Sequence, residues 1–142
     1  MAVVACLLPL LFLASCNVLL NDVERRSLAL AKLLTSESVD VAAMATMAGW
    51  PEGTDPRTLL VENGPHVSLV YVKNRRQHGV APAYRIHNSE LLEKNKHYRI
   101  TVVVREKTSG PAMIVASIVF DFKQNQNGDW VLDTIESNGK PG

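Results

Sequence analysis

Cysteine is the scarcest chemistry in this chain: of 142 residues only Cys6 and Cys16 carry a thiol, and none follows. Whatever folds after Cys16 can form no internal disulfide and must be held by its core. The stretch beyond that point is long enough for one domain that buries most of its apolar surface unaided. Basic residues are missing from the start, the first being Arg25. Neither sign of charge dominates, with 15 basic against 14 acidic residues, so nothing marks nucleic acid as a partner. The four histidines, His66, His78, His87 and His97, stand 12, 9 and 10 residues apart, without the close pairs that zinc sites use. No metal and no cofactor is expected. G-x-S-x-G, P-loop and H-E-x-x-H patterns are also absent, which disfavours the ordinary hydrolase families.

What the chain does have is an apolar opening, MAVVACLLPLLFLASCNVLL. Its uninterrupted part, Ala2 to Ser15, is well short of the roughly 20 residues that a spanning helix needs. Extended through Leu20 it becomes a marginal span containing Asn17, with Arg25 and Arg26 behind it. Three readings are open: an uncleaved anchor, an ordinary secretory signal, and a lipoprotein signal. A short apolar run closing on small residues fits the signals, and L-A-S-C at Leu13 to Cys16 resembles the bacterial lipobox. The resemblance implies cleavage between Ser15 and Cys16, lipid on the Cys16 sulfur and an acyl group on its new amine. Several acyl chains on one residue anchor a protein stably, at ~0.8 kcal/mol per buried CH₂, where a single chain would not. It further implies an envelope protein facing the periplasm, and Asn17, in place of an aspartate there, points to the outer membrane.

The expected organisation is a signal over 1–15, a lipidated tether over 16–21, one domain over 22–137 and a disordered tail over 138–142. Asn21 or Asp22 can cap a helix, with Glu24 placed for a capping box and Val23, Leu30, Leu33 and Leu34 at helical spacing. A second helix is expected from a cap at Ser38, running from Val39 to about Ala48 and ending at Gly49. Residues 49–66 hold three prolines and three glycines and read as loop with one short apolar piece, Leu59 to Val61, a candidate pocket rim.

From Val67 the pattern reads with period two. V-S-L-V-Y-V-K is expected as a strand, K-N-R-R-Q-H-G as a turn, and V-A-P-A-Y-R-I-H as a second strand, which Pro82 confines to a sheet edge. S-E-L-L-E-K suggests a helical turn from Ser89. Strands are expected at His97 to Glu106, Ala112 to Phe122 and along D-W-V-L-D-T-I-E, the last two joined by a tight hairpin at Asn127-Gly128.

The fold class expected is α+β: two N-terminal helices packed on a curved antiparallel sheet of about five strands. With its closing hairpin F-D-F-K-Q-N-Q-N-G-D-W-V-L-D-T-I-E, this order resembles the cone-shaped nuclear-transport-factor-like fold and its cystatin-like relatives. That resemblance implies either a binding or scaffold domain or a small isomerase or dehydratase. The enzyme pattern needs a buried carboxylate facing a tyrosine, for which Asp40, Tyr71, Tyr84 and Tyr98 are the only material. A basic cluster, Lys73, Arg75, Arg76 and His78 with Arg85 near it, is a candidate interaction patch for anionic phospholipid or an acidic partner. The reading of the whole is a non-enzymatic lipoprotein, held to the membrane through Cys16, whose domain binds a protein or envelope component.

Overall fold

The computed structural model describes residues 19–63, 68–93, 96–107 and 110–138. The expected signal and its cut at Ser15 and Cys16, His66, and the tail beyond Asn138 lie outside these residues. In chain order the described elements are α1 (Asp22–Leu34), α2 (Val41–Ala48), a 3-10 helix (Pro56–Leu59), β1 (Leu60–Asn63), α3 (Ser68–Gln77), β2 (Pro82–Leu92), β3 (His97–Glu106), β4 (Met113–Gln124) and β5 (Trp130–Asn138).

α1 starts where its capping chemistry says it should. The Asn21 side chain accepts from the Glu24 amide at 2.8 Å, while the Glu24 carboxylate accepts from the Asn21 amide at 3.3 Å. The helix buries Val23, Leu30, Ala31 and Leu34, together with Ser27, whose hydroxyl is satisfied by the Val23 carbonyl at 2.8 Å. α2 begins two residues later than expected, because Asp40 rather than Ser38 takes the cap position and accepts from the Ala43 amide. It ends at Gly49 in the left-handed conformation, φ +73°.

The sheet runs β1-β5-β4-β3-β2. Four strands form an antiparallel meander, and β1 joins it parallel to β5, pairing Leu60 with Ile135 and Asn63 with Asn138. The sheet is therefore mixed rather than antiparallel. β2 is an edge strand, as Pro82 requires. It continues through Leu92 with a bulge at His87, so S-E-L-L is strand and not the expected helical turn.

The largest departure from the sequence reading is α3. S-L-V-Y-V-K, within the expected strand, and N-R-R-Q, expected as a turn, together form one helix, so among the described residues the α-helices are three and not all N-terminal. Leu69 and Val72, one turn apart, are buried in the core. One turn further on, Arg75 reaches Glu106 on β3 at 2.7 Å and Arg76 donates to the Thr35 carbonyl at the end of α1 at 2.9 Å. Packing of this face overrides the β preference of the valines. The core lies on one side of the sheet, where Ile100, Val102, Val104, Ile118, Phe120, Phe122, Leu132 and Ile135 meet Leu30, Leu34 and Met44.

Candidate functional site

The tyrosine and carboxylate of the cone-fold enzyme pattern do not come together. Asp40 is exposed and occupied as the cap of α2. Tyr71 stands exposed on α3. The Tyr84 hydroxyl pairs with Thr35 at the C-terminal end of α1. Tyr98 accepts from the Asn21 side-chain amide at 2.8 Å and stacks edge-on against Trp130, centroids 5.7 Å apart. The hydroxyls of the two half-buried tyrosines, Tyr84 and Tyr98, are thus committed to holding the ends of α1 against the sheet.

The expected basic patch is divided rather than gathered at a hairpin tip. Lys73, Arg75, Arg76 and His78 belong to α3 and its end, whereas Arg85 lies on β2 across the sheet. Arg75 is bound to the buried Glu106, and that carboxylate raises the guanidinium's affinity for its proton. Arg76 is spent on the Thr35 carbonyl, and His78 Nδ1 lies 2.8 Å from the Asn74 carbonyl. Lys73 and Arg85 are left for any outside ligand.

The rim expected at residues 49–66 does border a cleft, but only through Gly49. This open cleft, about 380 Å³, lies between the start of α1, the end of α2 and the β4-β5 hairpin, lined by Asp22, Arg26, Thr46, Gly49, Asp129 and Trp130 among others. At its floor Arg26 donates to the Met47 carbonyl at 2.6 Å and to the Trp130 carbonyl at 2.9 Å, and its guanidinium sits 4.9 Å over the Phe122 ring. Burial lowers its proton affinity and the carboxylates Asp22 and Asp129 oppose that. The arginine acts as a clamp joining three elements. Trp50, the residue after Gly49, donates its indole N–H to the Leu132 carbonyl at 2.9 Å.

A polar cluster that the sequence reading did not single out sits on the sheet face turned away from the helices. Asp121 on β4 accepts from His97 Nε2 at 2.9 Å, Arg99 Nε at 2.9 Å and the Thr134 hydroxyl at 2.9 Å. Burial works against ionisation of Asp121, yet the hydrogen bonds from Arg99, His97 and Thr134 outweigh it and hold the carboxyl below the ordinary aspartate value. Arg99 and Asp121 are direct partners in the β3-β4 register. Their opposite charges at matching positions of two alternating strands were the available signal. His87 is exposed at the β2 bulge, and among the described residues no group of three His, Cys, Asp or Glu side chains could hold a metal ion.

Set against known proteins, the chain matches no family model, no curated protein and no solved structure.

Proposed function

We propose that the chain is a bacterial envelope lipoprotein, cut between Ser15 and Cys16, acylated on Cys16, and acting through its domain by binding a protein or envelope component. The observation that carries this is the spacing of two signals. L-A-S-C ends at Cys16, and the capping box that starts the first helix is at Asn21. Only Asn17 to Leu20 lie in sequence between the proposed site of acylation and the cap of the first helix, the spacing of a domain on a short leash. Among the described residues no helix is long and apolar enough to cross a membrane. On this reading lipid on Cys16 supplies the membrane attachment, with the domain facing the periplasm and, from Asn17, the outer membrane as destination.

Binding is favoured over cone-fold isomerase or dehydratase chemistry because Asp40, Tyr84 and Tyr98 are engaged apart from one another and Tyr71 stands exposed on α3. The surface offered to a partner lies around α3. Val70 and Tyr71 on that helix and Met113 on β4 are exposed apolar side chains, and Lys73 stands beside them. Val70 and Tyr71, adjacent on one helix, are the exposed apolar pair on which a partner could close.

Intact-mass measurement on the protein extracted from membranes tests the anchor. The expected species begins at Cys16 and carries lipid mass. A chain that still begins at Met1, or begins at Cys16 without lipid, overturns it. Co-purification from solubilised envelopes, with Tyr71→Glu beside the native protein, tests the binding role: a component captured by the native chain should be lost from the variant.

A further inference from the structure

The anchor and the fold together fix which end of the domain meets the lipid. Resting on the reading of Cys16 as the acylated residue, we infer that the end of the domain carrying Leu19 and Leu91 is seated on the bilayer surface, with α3 and Met113 held out into the aqueous compartment.

Leu19 and Leu91 are two of the large apolar side chains left in water, 78% and 49% exposed. Both belong to the tether end. Leu19 comes two residues before the cap Asn21, whose side chain donates to the Tyr98 hydroxyl. Leu91 is the cross-strand partner of Tyr98. Tyr98 therefore ties the start of α1 to the place on the sheet where Leu91 emerges, past the N-terminal end of the helix that covers the residues behind it.

The leash is short. From Cys16 to Asn21 the chain covers at most about 18 Å, even fully extended. The 13-residue helix α1 is about 20 Å long, and Thr35 at its far end is where Arg76 of α3 attaches. Along β3, the step from Tyr98 to Glu106 covers about 27 Å, and Glu106 is the residue opposite Met113 and bound to Arg75. The domain cannot turn over on such a leash so as to present α3 to the lipid while its tether end points away.

The same geometry says what kind of contact this is. Around Leu19 and Leu91 the exposed carboxylates Asp22, Glu90 and Glu93 stand against the exposed cations Arg25 and Lys96, so no net positive charge gathers there. The seat is apolar, and attraction to anionic headgroups does not drive it. Lys73 and Arg85, the cations still available from the expected basic patch, are at the opposite end and face soluble or protein ligands instead of phospholipid.

Once Cys16 is acylated, a substituted cysteine elsewhere is the only free thiol in the processed chain. Spin labels at Leu91→Cys and at Met113→Cys, in protein reconstituted into phosphatidylcholine vesicles, report depth through their relative accessibility to oxygen and to a water-soluble nickel chelate. The label at 91 should shift toward oxygen and the label at 113 should stay aqueous. Equal aqueous exposure at both, or burial of both, overturns the orientation. The unsubstituted protein gives a second reading: moving from mild detergent to vesicles, Lys96 should lose reactivity toward an impermeant amine reagent while Lys107 keeps it. Equal reactivity of the two on vesicles contradicts the inference. Intact mass keeps the two failures apart. Protein without lipid overturns the anchor and the orientation with it, whereas acylated protein with an aqueous label at 91 overturns the orientation alone.

Discussion

At Gly49 three elements meet with no room for a methyl group. A Cβ there would lie 3.0 Å from the Trp130 carbonyl and 3.0 Å from the Arg26 guanidinium, at a φ of +73°. Gly49→Ala is therefore expected to destabilise the fold by roughly 1–3 kcal/mol, combining left-handed strain with displacement of the Arg26 clamp. Urea unfolding should show a lower midpoint with an unchanged slope. Asp121 makes a different kind of contribution. Its folded carboxyl is held below its unfolded value, so the stability it provides is present above the unfolded value and is lost as pH falls through the folded one. Asp121→Asn should cost about 1–2 kcal/mol at neutral pH, the worth of a charge-assisted set of bonds. The gap between variant and native protein should close as pH drops below about 4, the range where an aspartate ordinarily protonates. Stability measured across that range in both proteins checks it, and a gap that persists at low pH contradicts the assignment.

At the scale of elements, the first helix tests how far a local signal reaches. Asn21→Ala removes the cap of α1 and the bond to Tyr98 together, and is expected to cost about 1–2 kcal/mol, the upper range for a cap. Asn21→Ser keeps a capping oxygen and should recover most of it, which thermal unfolding of the pair would show. α1, the Gly49 terminus, the edge position of Pro82, the Asn127-Gly128 hairpin and β3 to β5 were legible because each is written in local chemistry or in a sustained period. α3 was not. Over V-S-L-V-Y-V-K the apolar residues fit a period of two as well as a helix turn, and the valines favour strand; only Glu106 and the Thr35 carbonyl, far along the chain, decide for the helix by engaging Arg75 and Arg76. β1 was hidden for a similar reason, since a four-residue strand parallel to the last one has no neighbour in sequence to announce it. Of the candidate site, the anchor is proposed from the L-A-S-C motif alone and lies outside the described residues. The Asp121 cluster could be read only by setting Arg99 and Asp121 side by side, which needs the register of two strands.

For the whole molecule, the question is whether attachment and folding are one property or two. Arg26, Tyr84 and Tyr98 tie α1 to α2, β2, β3 and β5, and the first residue drawn into that network is Asn21. Leu19, two residues earlier, is 78% exposed and contributes no core contact. The proposed anchor at Cys16 comes before Asn21 in the chain, and changing it is expected to move location without moving stability. Cys16→Ser removes the only sulfur that can form the thioether, so the variant should keep residues 1–15 and gain no lipid mass. Its domain should unfold at the same temperature as the native one, within about 0.5 kcal/mol, as expected for a substitution that touches no packed or paired group. Intact mass and thermal unfolding on the same sample separate the outcomes. A variant still cut at residue 16 indicates ordinary secretion in place of lipoprotein processing, and a loss of stability beyond that margin shows that the tether packs on the domain after all.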